Sequence, residues 1–185
     1  MPRFITSQND LLLELLKTYI PNSKQLDFLV GCFYFSGFYS IYRKIAGRDL
    51  RIPVGMEADV TVQHAIREYA DTVPNSAAAS YLKTRQAFHE TTKKIINQAD
   101  IAGTKEGEGA FRFFVAKLKN GTLEVRKAKD FAHAKMYVFT NSDDHSEGGH
   151  YPGKVIMGSS NLSFQELQGH IEVNATFRIL SEQFI

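Results

Sequence analysis

Apolar positions along this chain alternate between two spacings, and the changes of spacing mark out helices and strands. Leu11, Leu12, Leu15, Leu16 and Tyr19 recur at helical intervals with Pro21 beyond them, which predicts a helix over residues 7–19. Leu26 to Phe35 is a nearly unbroken apolar run that includes Val30, Phe33 and Phe35. Such a run suits a strand covered on both faces, as in a sheet between helix layers. Ser36-Gly37 interrupts it. Phe38, Ile41, Tyr42 and Ile45 then return to helical spacing, and Gly47 is placed to end that helix. Leu50 to Met56 reads as a second strand, in which Pro53 points to an edge or a bulge. Strand, helix and strand in this order predict a right-handed crossover unit.

The middle of the chain is more polar. Two helices are expected over residues 60–73 and 76–98, split by Pro74, with Tyr81, Phe88, Ile95 and Ile96 as contact residues of the second. Lys83, Arg85, Lys93 and Lys94 lie on that segment, either as a solvated face or as a surface that tracks a nucleic-acid backbone. Ala99 to Gly109 is punctuated by glycine and reads as a loop. Phe111, Phe114, Val115 and Leu118 predict a helix ending at Asn120-Gly121; a hairpin through that dipeptide is the competing reading.

Thr122 to Arg126 and Ala132 to Thr140 read as strands. In the second, His133, Lys135, Tyr137 and Phe139 share one face, and Ala134, Met136, Val138 and Thr140 the other. Both faces are largely apolar, so a central strand with its polar groups at the start is expected. Asn141 to Gly153 is a polar loop, and Lys154 to Met157 a short strand that feeds Gly158. Asn161 or Ser163 caps a short helix, and Ile171 to Phe177 is the last strand. The order of elements implies a mixed α/β fold with a largely parallel central sheet and helices on both faces. One domain over residues 1–185 is expected, with a helical insertion at about 60–110.

Composition narrows the class. A length of 185 residues, 43% hydrophobic and 23% charged, suits one soluble globular domain. No apolar run approaches the ~18 residues of a membrane-spanning helix, and MPRFITSQND has no signal-peptide character. Cys32 is the single cysteine, which excludes an internal disulfide framework and fits a reducing cytoplasm. A net charge of +2 permits nucleic-acid binding without arguing for it.

The chemistry concentrates in His133-Ala-Lys135, Gly158-Ser159-Ser160-Asn161 and Glu172 within His170-Ile-Glu-Val-Asn174. A buried Lys and His on one strand face need partners. The Gly-Ser-x-Asn turn after the next apolar strand brings a hydroxyl, an amide and backbone N–H groups towards that face. Together these residues resemble the catalytic motif of the phospholipase D superfamily. The resemblance implies an α/β/α sandwich and phosphodiester chemistry with no metal or other cofactor. His133 would attack phosphorus, and Glu172 would accept its other ring N–H. Lys135 and Asn161 would hold the non-bridging oxygens, helped by Ser159 or a backbone N–H beside Gly158. Gly158, Ser160, Lys93 and Lys94 are expected at the substrate.

One departure matters. The family pattern has an Asp five residues after the lysine, where this chain has Thr140. Its absence favours the nuclease, helicase-associated and restriction-type branches over lipid phosphodiesterases. The HAKMYVF and GSSNLS segments, and the run Phe33-Tyr34-Phe35-Ser36-Gly37-Phe38, are similar to those branches. A single His-x-Lys motif implies a homodimer in which two His133 rings share one site, with DNA a more fitting substrate than RNA. The rival expectation is an idle module of a helicase or restriction system that binds DNA or dimerises; a further expectation is that the domain is the N-terminal part of a longer protein such as a helicase.

Other clusters carry less. Asp143, Asp144, His145 and His150 have irregular spacing for a metal site and read as a solvated loop. Glu57 and Asp59 form a carboxylate pair with no third ligand, His170 caps the last strand, and His64 and His89 read as surface residues.

Overall fold

The computed structural model describes residues 3–6, 11–58, 62–63, 104–141, 152–168 and 172–179. The helices expected over residues 60–73 and 76–98 therefore fall almost entirely outside the described residues. So do Lys83, Arg85, Lys93, Lys94, Asp59, His64, His89, His170 and the Asp143–His150 cluster.

Seven strands form one sheet: β1 (Arg3–Thr6), β2 (Ser23–Phe33), β3 (Asp49–Ala58), β4 (Leu123–Lys127), β5 (Met136–Asn141), β6 (Gly153–Gly158) and β7 (Val173–Ile179). Their order across the sheet is β1-β7-β6-β5-β2-β3-β4. Four α-helices accompany them among the described residues: α1 (Leu12–Tyr19), α2 (Phe35–Ile41), α3 (Lys105–Lys119) and α4 (Phe164–Gln168). No described helix is long and apolar enough to cross a membrane.

The sheet corrects the expectation of a largely parallel arrangement. Only β2–β3 and β3–β4 pair parallel. The pairs β1–β7, β7–β6, β6–β5 and β5–β2 are antiparallel. The physical reason lies in the connections. A parallel neighbour needs a long crossover, which the chain supplies between β2, β3 and β4; the antiparallel pairs join β5 to β6 and β6 to β7 in sequence, and bring β5 beside β2 and β7 beside β1 from far along the chain. The polar run after Asn141, read from the sequence as a loop, was the signal for the reversal between β5 and β6.

Alternate residues of β2 (Leu26, Phe28, Val30), β3 (Leu50, Ile52, Val54), β5 (Tyr137, Phe139) and β6 (Ile156) are buried on one face. Register places Leu26 beside Leu50 and Phe139, and Phe28 beside Tyr137. The helices contact one another in a chain, α1 with α2 and α4, and α2 with α3 and α4, and so form one layer. Aromatic edges join that layer internally and to the sheet, with ring centroids 4.9 Å apart for Phe38–Phe114 and 5.5 Å for Tyr19–Phe139. The opposite face carries a row running Phe4, Ala175, Met157, Met136, Leu29. Of these Phe4 and Met157 are largely exposed.

Several element boundaries differ from expectation. β3 lies inside the sheet, not at its edge. Val30 pairs with Val54 but Cys32 with Glu57, so β3 carries one extra residue at Gly55-Met56. Pro53 thus announced a bulge. The helix after β2 ends at Ile41, and Gly47 (φ 74°) lies in the turns beyond. Lys105 to Gly109, expected in a loop, opens α3. Thr104 caps it by accepting from the Gly107 N–H at 3.0 Å, and Glu106 and Glu108 suit its first turn. The helix over Phe111–Leu118 is as expected. β1 had no signal in the sequence, because four residues hold too little alternation to read.

Candidate active site

The end of β2, the start of β5, the end of β6 and the start of β7 all lie at one end of the sheet, because β5 and β7 run antiparallel to β2 and β6 respectively. That end gathers the residues of the His-x-Lys and Gly-Ser-x-Asn motifs. His133 and Lys135 do not lie within the strand, as expected, but in the segment that leads into it, since β5 begins at Met136. His133 is exposed; Lys135 is only 5% exposed.

The Lys135 Nζ stands 3.0 Å from His133 Nδ1 and 2.8 Å from Nε2. An ammonium has three donors and no acceptor, so Lys135 can only donate in this contact. Among the described residues Lys135 has no carboxylate partner. A buried cation without a counter-ion is costly unless an anion completes it.

Asn161 meets His133 across Gly31. A Cβ built on Gly31 would lie 3.1 Å from Asn161 Oδ1 and 3.5 Å from His133 Cδ2. The amide is held from both sides. Its Oδ1 accepts from the Cys32 N–H at 2.8 Å, and its Nδ2 donates to Glu166 Oε1 at 3.2 Å. The Asn161 backbone N–H donates to the other Glu166 oxygen. This fixes which way the amide faces and leaves one Nδ2 proton unassigned.

The turn is anchored from below. Ser160 is fully buried; its carbonyl accepts from the Tyr137 hydroxyl at 2.9 Å, and its hydroxyl accepts from Asn174 Nδ2 at 2.8 Å. Burial pushes the Tyr137 phenol well above its ordinary value, with Glu166 and Glu172 adding to the rise, so it stays a donor. Leu162 continues the turn as a short parallel bridge with Phe33, and its carbonyl accepts from the Tyr34 N–H at 3.1 Å. Helix α2 sits so close that a Cβ on Gly37 would fall 2.3 Å from that carbonyl. Gly158 is equally constrained, with Asn174 Oδ1 and the Val173 carbonyl each 2.3 Å from its missing Cβ. The Gly158 N–H donates to the Lys135 carbonyl at 3.3 Å, which ties the two motifs together.

Ser159 and Glu172 form a pair of their own. The Ser159 hydroxyl donates to Glu172 Oε2 and accepts from the Val173 N–H at 3.1 Å. The carboxylate expected on the His133 ring is thus engaged by Ser159. Ser160, expected at the substrate, faces the interior, whereas Gly158 and Ser159 are exposed. Among the described residues no three His, Cys, Asp or Glu side chains stand together.

Sequence reading missed Gly31, Glu166 and Asn174. A signal for Glu166 existed: Ser163-x-x-Glu166 has capping-box spacing, and Ser163 Oγ does accept from the Glu166 N–H at 3.2 Å. The Glu166 carboxylate, however, reaches past the cap to Asn161. Gly31 and Asn174 gave no signal, because each matters through a contact distant in sequence.

No family model matches the chain, and no curated protein matches it. Among solved structures it is similar to Nuc from Salmonella typhimurium, described as a phospholipase D family member (TM-score 0.47, 11% identity, 98% of this chain and 85% of that one). It is also similar to NucT from Helicobacter pylori (TM-score 0.43, 13% identity, 95% and 84%). Polyphosphate kinase from Porphyromonas gingivalis matches over 95% of this chain but 23% of its own, with a TM-score of 0.45 and 9% identity. These likenesses concern the course of the chain at low TM-score; the chemistry rests on the residues themselves.

Proposed function

We propose that the chain is a metal-independent phosphodiesterase acting on nucleic acid, DNA before RNA, through a phosphohistidine formed on His133. The observation that carries this reading is Lys135. Its buried ammonium touches the ring of an exposed histidine and lacks a carboxylate partner among the described residues. A phosphate supplies the missing negative charge, and the ring beside it supplies a nucleophile.

In the first step a ring nitrogen of His133 attacks phosphorus. A P–N bond forms as the P–O bond to the leaving alkoxide breaks. Lys135 and the free Nδ2 proton of Asn161 hold the non-bridging oxygens while charge builds on them. Preorganised donors of this kind are worth about 3–4 kcal/mol each. The leaving oxygen takes a proton from a second imidazole, and one His133 cannot serve both roles. A two-fold homodimer supplies it as the partner subunit's His133, and isologous dimers are the commonest oligomers. In the second step that ring removes a proton from water, which attacks phosphorus and breaks the P–N bond.

A second reading, an idle module that binds DNA or dimerises, within a helicase or restriction system, draws on Glu172. Its Oε2 accepts from the Ser159 hydroxyl, and no hydrogen bond joins it to the His133 ring among the described residues. One experiment separates the readings: cleavage of labelled single- and double-stranded DNA in excess EDTA, with His133→Ala alongside and a denaturing alkaline quench to trap protein joined to DNA through phosphorus. Cutting that persists in EDTA, vanishes in the variant and leaves wild-type protein joined to DNA is expected. Binding without cutting by either protein would establish the idle module. Cutting abolished by EDTA would overturn the mechanism.

A further inference from the structure

Phe131 is 76% exposed and stands two residues before His133. A single exposed aromatic is ordinary on a protein surface. What distinguishes this one is how firmly it is placed. The segment between β4 and β5 is tied to β3 on both sides of it: the Ala128 N–H donates to the Val54 carbonyl at 2.8 Å, and the Ala132 N–H to the Gly55 carbonyl at 3.3 Å. The extra residue in β3 makes the bed for this crossing. A Cβ on Gly55 would lie 1.9 Å from the Ala132 carbonyl, so only glycine admits the segment there. Phe131 is thereby held out to solvent beside the candidate nucleophile.

The charges around it are also specific. Lys127 and Lys129 are exposed and form no ion pair among the described residues, whereas Arg126 is occupied by Glu124. Asp130 is the one acid in the run from Arg126 to Lys135. An aromatic face interleaved with free lysines is how proteins hold single-stranded nucleic acid: cations follow the phosphates and bases stack on the ring. A duplex buries its base faces and offers none to Phe131 without unpairing. A second copy of the chain would meet this patch with the same two lysines, which a two-fold contact sets against each other.

We propose that Phe131, Lys127 and Lys129 form a subsite for an unpaired nucleotide next to the scissile phosphate, so that the substrate is single-stranded nucleic acid. This deepens the phosphodiesterase reading and rests on it. The base stacks on Phe131, and its flanking phosphates lie against Lys127 and Lys129.

The test compares three labelled DNAs of one length: a single strand, the same strand in a duplex, and a single strand of abasic spacers that keeps the phosphates. Anisotropy measures binding to full-length His133→Ala, with and without Phe131→Ala; cleavage is followed with intact His133. Phe131→Ala is expected to weaken binding of the ordinary single strand about tenfold, to leave the abasic strand unchanged, and to be rescued by Phe131→Trp. Equal weakening on the abasic strand, or wild-type binding of duplex as tight as single strand, would overturn the subsite. So would a loss of dimer in Phe131→Ala by light scattering, which would make Phe131 a contact between copies. Base-dependent binding through Phe131 with no cleavage of any DNA would instead retain the subsite and reject the phosphodiesterase reading.

Discussion

Glu166 occupies an unusual position for a residue that touches no solvent-facing histidine or lysine. It accepts from both the backbone and the side chain of Asn161, and the Cys32 N–H fixes the other end of that amide. Removing the carboxylate frees the amide to turn and present its oxygen to a phosphate, which repels it. Hydrogen bonds to a charged group contribute about 1.5–3 kcal/mol net. Glu166→Ala is therefore expected to lower kcat on DNA by about tenfold or more, with a smaller change in KM. Glu166→Gln, which keeps one acceptor, should fall between. Steady-state kinetics on both variants check this, and a fall in KM affinity alone would assign Glu166 to binding only. Asn174 shows the same logic with less tolerance. Its Nδ2 bonds Ser160 while its Oδ1 is buried with no partner among the described residues. Neither residue stood out in the sequence, since each acts on the turn through a contact that only the folded chain creates.

At the scale of elements, one close crossing decides where the site lies. The bulge at Gly55-Met56 lets the segment before β5 pass over β3 and delivers His133 to the sheet end. Gly55→Ala drives a methyl group into the Ala132 carbonyl, and overpacking of this kind costs about 1–3 kcal/mol. The variant is expected to melt at lower temperature and to lose cleavage beyond what its stability explains, because the displaced segment carries the proposed nucleophile. Thermal denaturation beside activity at low temperature separates the two effects.

The junction from α3 to β4 is held by Lys117, whose buried Nζ donates to the Arg48 carbonyl at 2.6 Å and to Thr122 Oγ1 at 3.1 Å. Burial lowers its pKa from the ordinary 10.5, with Asp49 opposing. The folded chain then holds this proton less firmly than the unfolded chain does. The resulting penalty is complete below the folded pKa and fades as pH rises towards 10.5. Stability of the wild type relative to Lys117→Met should thus increase through the alkaline range; urea denaturation at a series of pH values measures it. An unchanged difference would mean the ammonium is solvated. Elements were legible where they were long and periodic, as in α3 and β2. Their ends were not, because caps such as Thr104 and bulges such as that in β3 are local chemistry inside a continuing apolar pattern.

Over the whole molecule, the sequence indicated a mixed α/β chain and the residues that meet at one sheet end, but not the direction of the strands. His133, Lys135 and Asn161 were readable because the chemistry restricts residue type. The partnership of Ser159 with Glu172 was not, since either histidine or serine satisfies a carboxylate equally well. The proposed dimer is where the molecule as a whole enters the chemistry. If two His133 rings share one site, a dimer with one wild-type and one His133→Ala subunit lacks either the nucleophile or the acid, whichever subunit the substrate engages. Mixing wild type with the variant and allowing subunits to exchange should then reduce total activity as the square of the wild-type fraction. Independent sites would give a linear fall, and a monomer would show no effect of mixing beyond dilution. A titration across mixing ratios, read by cleavage of single-stranded DNA and by light scattering on the same samples, decides among the three. The square law is expected, because the chain carries one His-x-Lys motif and the proposed reaction needs two imidazoles.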